Sequence, residues 1–242
     1  MTDLNGRVAL LTGASGGIGQ ALGRGLIAAG VKTAFTYGTR AGQARDLVAE
    51  SEAAGVAAVA LPGDLADPQV PAVLLDATAE ALGPVDLLIA NAGYAVQQEY
   101  TDVDAETWDR TLAVNLRAPF LLAQRALPGM AGRGFGRVLF MSSIAGFTGG
   151  IVGPHYAASK AGLHGLVHFL AARVAAQGVT VNALAPALIE DTAMLPPTAR
   201  PGALPVGRFG RPEEVADLAL AILRNGYLTN QVLSLDGGAY PR

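Results

Sequence analysis

His155-Tyr156-Ala157-Ala158-Ser159-Lys160 places a phenol four residues before an ammonium, so on a helix the two side chains share one face. Lysine is scarce in this chain: Lys32 and Lys160 are the only two, against fifteen arginines. A free phenol titrates at about 10, and bringing it to about 7 takes roughly 4 kcal/mol in favour of the phenolate. One positive charge at ~4 Å in an effective dielectric of ~20 supplies about that much. The pair therefore has the make-up of a proton relay, with Tyr156 as general acid toward a carbonyl oxygen and Lys160 lowering its pKa. Arginine, with its different shape, would not substitute simply. Helices also carry Tyr-x-x-x-Lys by chance, so the chemistry depends on what surrounds the pair.

A second candidate lies near the start. Residues 12–19, TGASGGIG, follow an apolar run and open a helical stretch. Gly13, Gly17 and Gly19 are spaced G-x-x-x-G-x-G, not the G-x-G-x-x-G dinucleotide fingerprint. The physics is shared: glycine lets the backbone turn sharply and approach a pyrophosphate, which the N–H groups of a helix start can bind. Ser15 and Ile18 belong to the same candidate cofactor loop; an ordinary strand-to-helix turn is the plain alternative. Residues 31–45 contain no Asp or Glu to hold a ribose 2′-hydroxyl, but they do contain Arg40 and Arg45. A free arginine there suits a 2′-phosphate, so the expected cofactor is NADP(H) in preference to NAD(H). One charge-assisted contact is worth on the order of 1.5–3 kcal/mol, or about 10–100-fold in preference. The plain alternative for Arg40 is a solvated residue that starts a helix.

Elements must hold these groups. Apolar, β-branched runs at 8–13, 32–37, 56–61, 85–93, 136–143, 179–186 and 231–238 predict strands. Helical segments are expected at 17–29, 41–54, 68–82, 104–131, 156–176 and 212–224. Asp67-Pro68 reads as an N-cap followed by proline at the first helical position. Continuously apolar strands alternating with helices predict an α/β fold, a single Rossmann-type domain over 1–242. Its doubly wound parallel sheet would have about seven strands with helices on both faces, and ligand at the strands' carboxyl ends. Residues 191–210, rich in Pro and Gly, fit no period and read as a substrate loop.

The bulk composition narrows the partners. Half the residues are hydrophobic (51%), 15% are charged, and the net charge is −3, with no basic run to track phosphates, so nucleic acid is not an expected partner. There is no cysteine for a disulfide or a thiolate metal site. The N-terminal residues lack a secretory signal pattern and no apolar run reaches membrane-spanning length, which predicts a cytoplasmic protein without a membrane partner. His164 and His168 share a helix face, but no carboxylate or cysteine accompanies them at ligand spacing. The three histidines, His155 included, read as surface or interface residues and no metal is expected.

Taken together, TGASGGIG, GDL at 63–65, NAG at 91–93, VNL at 114–116, SS at 142–143, YAASKAG at 156–162, PVGRFGRPEEVADL at 205–218 and LDGG at 235–238 resemble the short-chain dehydrogenase/reductase family over essentially the whole chain. The overall look is similar to 3-oxoacyl-[acyl-carrier-protein] reductase-like members. The resemblance implies Tyr156 as proton donor, Lys160 as its pKa-lowering partner and ribose ligand, and Ser143 as hydrogen-bond donor to the substrate carbonyl. Asn115 would hold a water behind Lys160. Ser142 competes for the serine role, and spacing to Tyr156 favours Ser143. Asp64 and Leu65 would flank the adenine, and Asn91, Ala92 and Gly93 would line the cofactor, as would Pro186, Ile189 and Thr192. The chain departs from the family pattern at Ala187, where glycine is usual, at Asp191-Thr192, one register late, and at Asn230, another usual glycine and a structural position.

Tyr94, Ala95, Val96, Ile144, Ala145, Ile151, Val152 and residues 193–205 are expected to border the substrate, and they are mostly apolar, with Arg200 the one arginine among them. The expected activity is NADPH-dependent reduction of an apolar or thioester-linked ketone, the substrate free or borne on an acyl carrier. Two alternatives stand beside it: an NAD-dependent alcohol or sugar dehydrogenase of the same family, and a non-catalytic NADP(H)-binding regulator. The resemblance also points to a homotetramer built on the helices at 104–131 and 156–176.

Overall fold

A computed structural model of the chain describes residues 1–195 and 199–240. Seven strands form one parallel sheet: β1 (Val8–Leu11), β2 (Lys32–Tyr37), β3 (Ala58–Pro62), β4 (Leu87–Ala90), β5 (Gly136–Met141), β6 (Val179–Pro186) and β7 (Val232–Leu235). Their order is β3-β2-β1-β4-β5-β6-β7. The chain steps outward from β1 to β3, then returns to the other side of β1 to lay down β4, so the order reverses between β1 and β4. A crevice opens there, at the carboxyl ends of the strands. Every residue of β1, β4, β5 and β6 is buried, as an apolar run covered on both faces requires.

The core is split by the sheet. One layer packs Leu22 and Leu26 of α1 (Gly17–Ala28), Leu47 of α2 (Ala41–Ala53) and Val215, Ala219 and Leu223 of α8 (Pro212–Arg224) against the sheet. The other packs Leu74 of α3 (Val70–Leu82), Leu122 of α5 (Ala118–Gly132) and Leu163 and Val167 of α7 (Pro154–Val174). Alternation along β1 serves both layers, with Ala9 and Leu11 facing the first and Leu10 the second.

Two helix expectations are corrected. α3 begins at Val70 with Gln69 as its N-cap, not at Pro68. Asp67 Oδ1 accepts from Gln69 N at 2.8 Å, closing a local turn ahead of the helix, and Pro71 takes the first-turn place that suits a residue without an N–H. The helix expected over 104–131 is three pieces: α4 (Ala105–Leu112), a π-helical turn (Ala113–Arg117) and α5. Proline supplies the reason. Pro119 has no N–H to give to the carbonyl four residues back, and its ring crowds that carbonyl, which belongs to Asn115. The turn therefore widens around Asn115. A short helix, α6 (Ala145–Thr148), follows β5 and completes the set. Among the described residues no helix is long and apolar enough to cross a membrane.

Candidate active site

A cavity of about 520 Å³ lies across the carboxyl ends of the strands. The residues singled out above for catalysis and cofactor border it, apart from Asn115, as do Tyr94, Ile144, Ala145, Ile151 and Val152 of the expected substrate wall. At one end are the glycine loop (Gly13, Ser15, Gly17, Ile18, Gly19), Arg40, Asp64 and Leu65; in the middle are Asn91, Ala92, Gly93, Pro186, Ile189 and Thr192. At the other end are Tyr94, Ser143, Ile144, Ile151, Val152, Tyr156 and Lys160. Ala95, Val96 and Arg200 do not line it, and residues 196–198 of the expected substrate loop lie outside the described residues. Val96 instead offers its carbonyl to His155 Nε2 at 3.0 Å.

The glycine loop is built for close approach. Gly13 sits at φ +67°, and a Cβ there would come within 2.7 Å of Ala92 Cα. A Cβ at Gly19 would meet the Gly13 carbonyl. The N-cap of α1, Gly16, makes no side-chain bond and the first turn holds no carboxylate, so its N–H groups face the cavity uncontested by acid. Asn91 Nδ2 donates to the carbonyls of Thr12 (3.1 Å) and Gly13 (3.2 Å), and Thr12 Oγ1 accepts from Ala92 N at 3.0 Å. β4 thus braces the loop. These donors, with an exit from β2 that carries Arg40 and no acid, fit the phosphates of a phosphorylated dinucleotide. Among the described residues Arg40 forms no ion pair.

Asn115 acts one layer behind. Its Oδ1 accepts from Tyr94 N at 2.7 Å, while its Nδ2 donates to Tyr94 O at 2.9 Å and to Ser159 Oγ at 3.1 Å. Fully buried, it pins the backbone of the residue that turns the chain from cofactor wall to substrate wall. Lys160 Nζ donates to Met141 O at 2.8 Å, and a Cβ on Gly93 would lie 3.7 Å from both Nζ and Asn115 Oδ1. The two serines separate by bonding. Ser142 Oγ is engaged by Lys160 O (3.1 Å) and His164 Nε2 (2.9 Å), whereas Ser143 Oγ accepts from Ala145 N (3.2 Å) and borders the cavity with Tyr156.

The electrostatics differ from expectation in one respect. Burial pushes the Tyr156 phenol above its ordinary value, and the Ser143 hydrogen bond offsets this only in part. The Lys160 ammonium, 5.6 Å from the ring centroid, is turned to Met141 O and does not pull the phenol toward neutrality. Burial alone lowers Lys160 to about 8. In its raised state Tyr156 is a phenol at neutral pH, the form an acid needs. One histidine departs from the surface reading: His155 is fully buried, whereas His168 is exposed, its Nδ1 2.6 Å from Asn230 Oδ1. Among the described residues no group of three or more His, Asp or Glu is placed to hold a metal.

One site residue had no sequence signal. Arg110 borders the cavity, pairs with Asp64 at 3.2 Å and lies 5.4 Å from the Tyr94 ring centroid, joining the two ends; it comes from a segment without a motif. Met194, within the stretch expected to border the substrate, covers Tyr156, with its Sδ 4.0 Å from the phenolic oxygen. Thr192, one register late, still lines the cavity, its hydroxyl donating to Ile189 O at 2.9 Å.

The sequence model of the short chain dehydrogenase family matches residues 7–201. The chain belongs to the short-chain dehydrogenase/reductase family. Among relatives of this family, the 3-oxoacyl-[acyl-carrier-protein] reductase of Thermotoga maritima is 36% identical over 250 residues, covering 97% of this chain and 98% of the relative. L-rhamnose 1-dehydrogenase (NAD(P)(+)) of Sphingomonas sp. (strain SKA58) is 34% identical, covering 99% of this chain and 98% of the relative. A blue fluorescent protein from a metagenomic library, solved in complex with NADPH, superposes with a TM-score of 0.91 at 35% identity, covering 99% of this chain and all of that one. As a short-chain dehydrogenase/reductase the chain is an oxidoreductase acting on CH–OH or C=O groups.

Proposed function

We propose that this short-chain dehydrogenase/reductase is an NADPH-dependent reductase of apolar or thioester-linked ketones. The observation that carries the reading is the substrate end of the cavity. Ser143 and Tyr156 are set among Ile144, Ala145, Ile151, Val152, Ala193, Met194 and Leu195. A polyol bound there would leave several hydroxyls without partners, each at a cost of about 1–3 kcal/mol. A ketone with an acyl chain needs polar contact only at its oxygen. The sugar-dehydrogenase alternative is weaker on that ground.

In this reading the glycine loop and the amides of the first turn of α1 hold the cofactor's pyrophosphate, and Arg40 holds its 2′-phosphate. Asp64 and Leu65 flank the adenine. Asn91, Ala92, Gly93, Pro186, Ile189 and Thr192 line the nicotinamide half, and the Lys160 ammonium holds the ribose. When bound, the reduced nicotinamide supplies the hydride. Ser143 donates a hydrogen bond to the ketone oxygen, and Tyr156, kept protonated by burial, delivers the proton that oxygen takes up. Asn115 keeps Tyr94 in place and links α4–α5 to Ser159, one residue before Lys160. Residues 192–195 form the outer substrate wall, with Met194 closing over Tyr156. The relative from Thermotoga maritima takes, by its name, a 3-oxoacyl group on a carrier protein, and the same class of substrate suits this cavity.

Loss of reduced-cofactor absorbance with a β-keto thioester, compared for NADPH and NADH at equal concentration, tests the reading. Consumption of NADPH well ahead of NADH is expected. Faster use of NADH, or turnover of sugars and alcohols but not ketones, would replace it with the NAD-dependent dehydrogenase reading. Tight NADPH binding without turnover of any carbonyl or alcohol would point to a regulator.

A further inference from the structure

Ser142 and His164 are two polar side chains beside the reacting groups to which the proposed reaction assigns no task. Ser142 directly follows β5 and is 4% exposed. Its hydroxyl has one proton, and its contact with the Lys160 carbonyl, an acceptor only, uses that proton. The second contact must then be supplied by a donor, so His164 Nε2 carries a proton and gives it to Ser142 Oγ at 2.9 Å. His164 stands four residues beyond Lys160 and eight beyond Tyr156. The three side chains form one stripe along α7.

The imidazole also seats the segment that follows Ser143. A Cβ on Gly146 would lie 2.9 Å from its Cε1 and 3.0 Å from its Nε2, so glycine is what lets α6 rest on the ring. Phe147 packs against it at 4.3 Å between centroids. Ser143, Ile144 and Ala145 thus leave β5 between two anchors on the same histidine: the Ser142 hydroxyl before them and Gly146-Phe147 after them. On the strand side, Met141 O takes the Lys160 ammonium while Ser142 takes the Lys160 carbonyl. Every link runs between the helix that carries Tyr156 and the strand end that carries Ser143.

We propose that His164 is a positioning residue for the reduction: through Ser142 and the seat under α6 it fixes the Ser143 hydroxyl relative to Tyr156 and Lys160. Its kinetic consequence rests on the carbonyl-reductase reading; the proton on Nε2 rests on geometry alone. His164→Leu keeps apolar bulk and removes the donor, whereas His164→Gln places an amide N–H the same number of bonds from the backbone. His164→Leu is expected to lower kcat about 10- to 100-fold, the scale of a small misplacement of reacting groups, with the KM for NADPH unchanged and His164→Gln recovering most of the loss. Ser142→Ala should lower kcat similarly, and the double variant no further, since both remove one link. Unchanged kcat in His164→Leu, additive losses, or equal losses in Leu and Gln with a matching drop in melting temperature would overturn the proposal. A second measurement needs no turnover. In ¹⁵N spectra of the whole protein, the His164 Nε2 proton should be present, slow to exchange, and lost in Ser142→Ala. An Nε2 without a proton would sink the inference. If the wild type reduces no ketone, the carbonyl-reductase reading fails by itself, and this signal still decides whether His164 holds Ser142.

Discussion

Tyr156 and Lys160 are 7% and 3% exposed, so each carries its polar group in a place where charge is costly. The phenol responds by holding its proton and the ammonium by loosening its own. Tyr156→Phe should reduce turnover to near background while leaving NADPH affinity within a few-fold, as read by steady-state kinetics and cofactor titration. Lys160→Met should damage both turnover and cofactor affinity and yet raise the melting temperature. With a folded pKa of about 8 against 10.5 unfolded, the buried ammonium destabilises the fold fully below pH 8, and the penalty fades as pH rises through 8 to 10.5. Thermal melts of both proteins across that range should converge at the alkaline end; a constant gap would contradict the assignment. Arg40→Ala should weaken NADPH about 10–100-fold and spare NADH, and equal losses for the two cofactors would remove Arg40 from that role. Asn230, where family members usually carry glycine, adopts φ +63°, a conformation asparagine tolerates better than other side chains, and its Oδ1 meets His168.

The element that matters most for the site is the break between α4 and α5. A continuous α-helix would bond residue 119 to the Asn115 carbonyl; Pro119 forbids it, and the π turn brings Asn115 to Tyr94 and Ser159. Pro119→Ala restores the missing N–H. It should leave thermal stability unchanged or higher while lowering kcat about 10-fold, as the turn tightens and Asn115 shifts from its three partners. An unchanged kcat would mean that the π turn is held by packing alone. Proline's position was readable from the chain, yet a helix was expected straight through it, because periodicity averages over a turn and a one-residue widening leaves the apolar pattern nearly intact. Strand placement fared better for the same reason in reverse. Stretches such as 138–141 are apolar at every position, and burial on both faces accounts for that.

Over the whole molecule, the sheet order turns separate motifs into one cavity. Residues from the glycine loop near position 13 to Thr192 meet because the crossover reverses between β1 and β4. We expect the assembly to be a homotetramer built on α4–α5 and α7. Light scattering should then report the mass of four 24.6 kDa chains, and a monomer at micromolar concentration would refute it.

What the chain determined by itself was the set of local rules: apolar runs that had to be strands, glycines at 13, 17 and 19 that had to be a close-approach turn, and Tyr156 and Lys160 on one face of a helix. From these the parallel fold followed, while the resemblance to the family implied further cavity-lining residues such as Asp64, Asn91, Ser143 and Thr192. Tertiary structure decided what depends on distance between elements. It set the direction of the Tyr156 shift, since burial and the turning of Lys160 toward Met141 outweigh an attraction that spacing alone made plausible. It separated Ser143 from Ser142 by their partners, placed Arg110 against Asp64, and set His164 beneath Gly146. Hydrogen bonds and desolvation act over a few ångströms, and residues far apart in sequence come that close only once the sheet has formed.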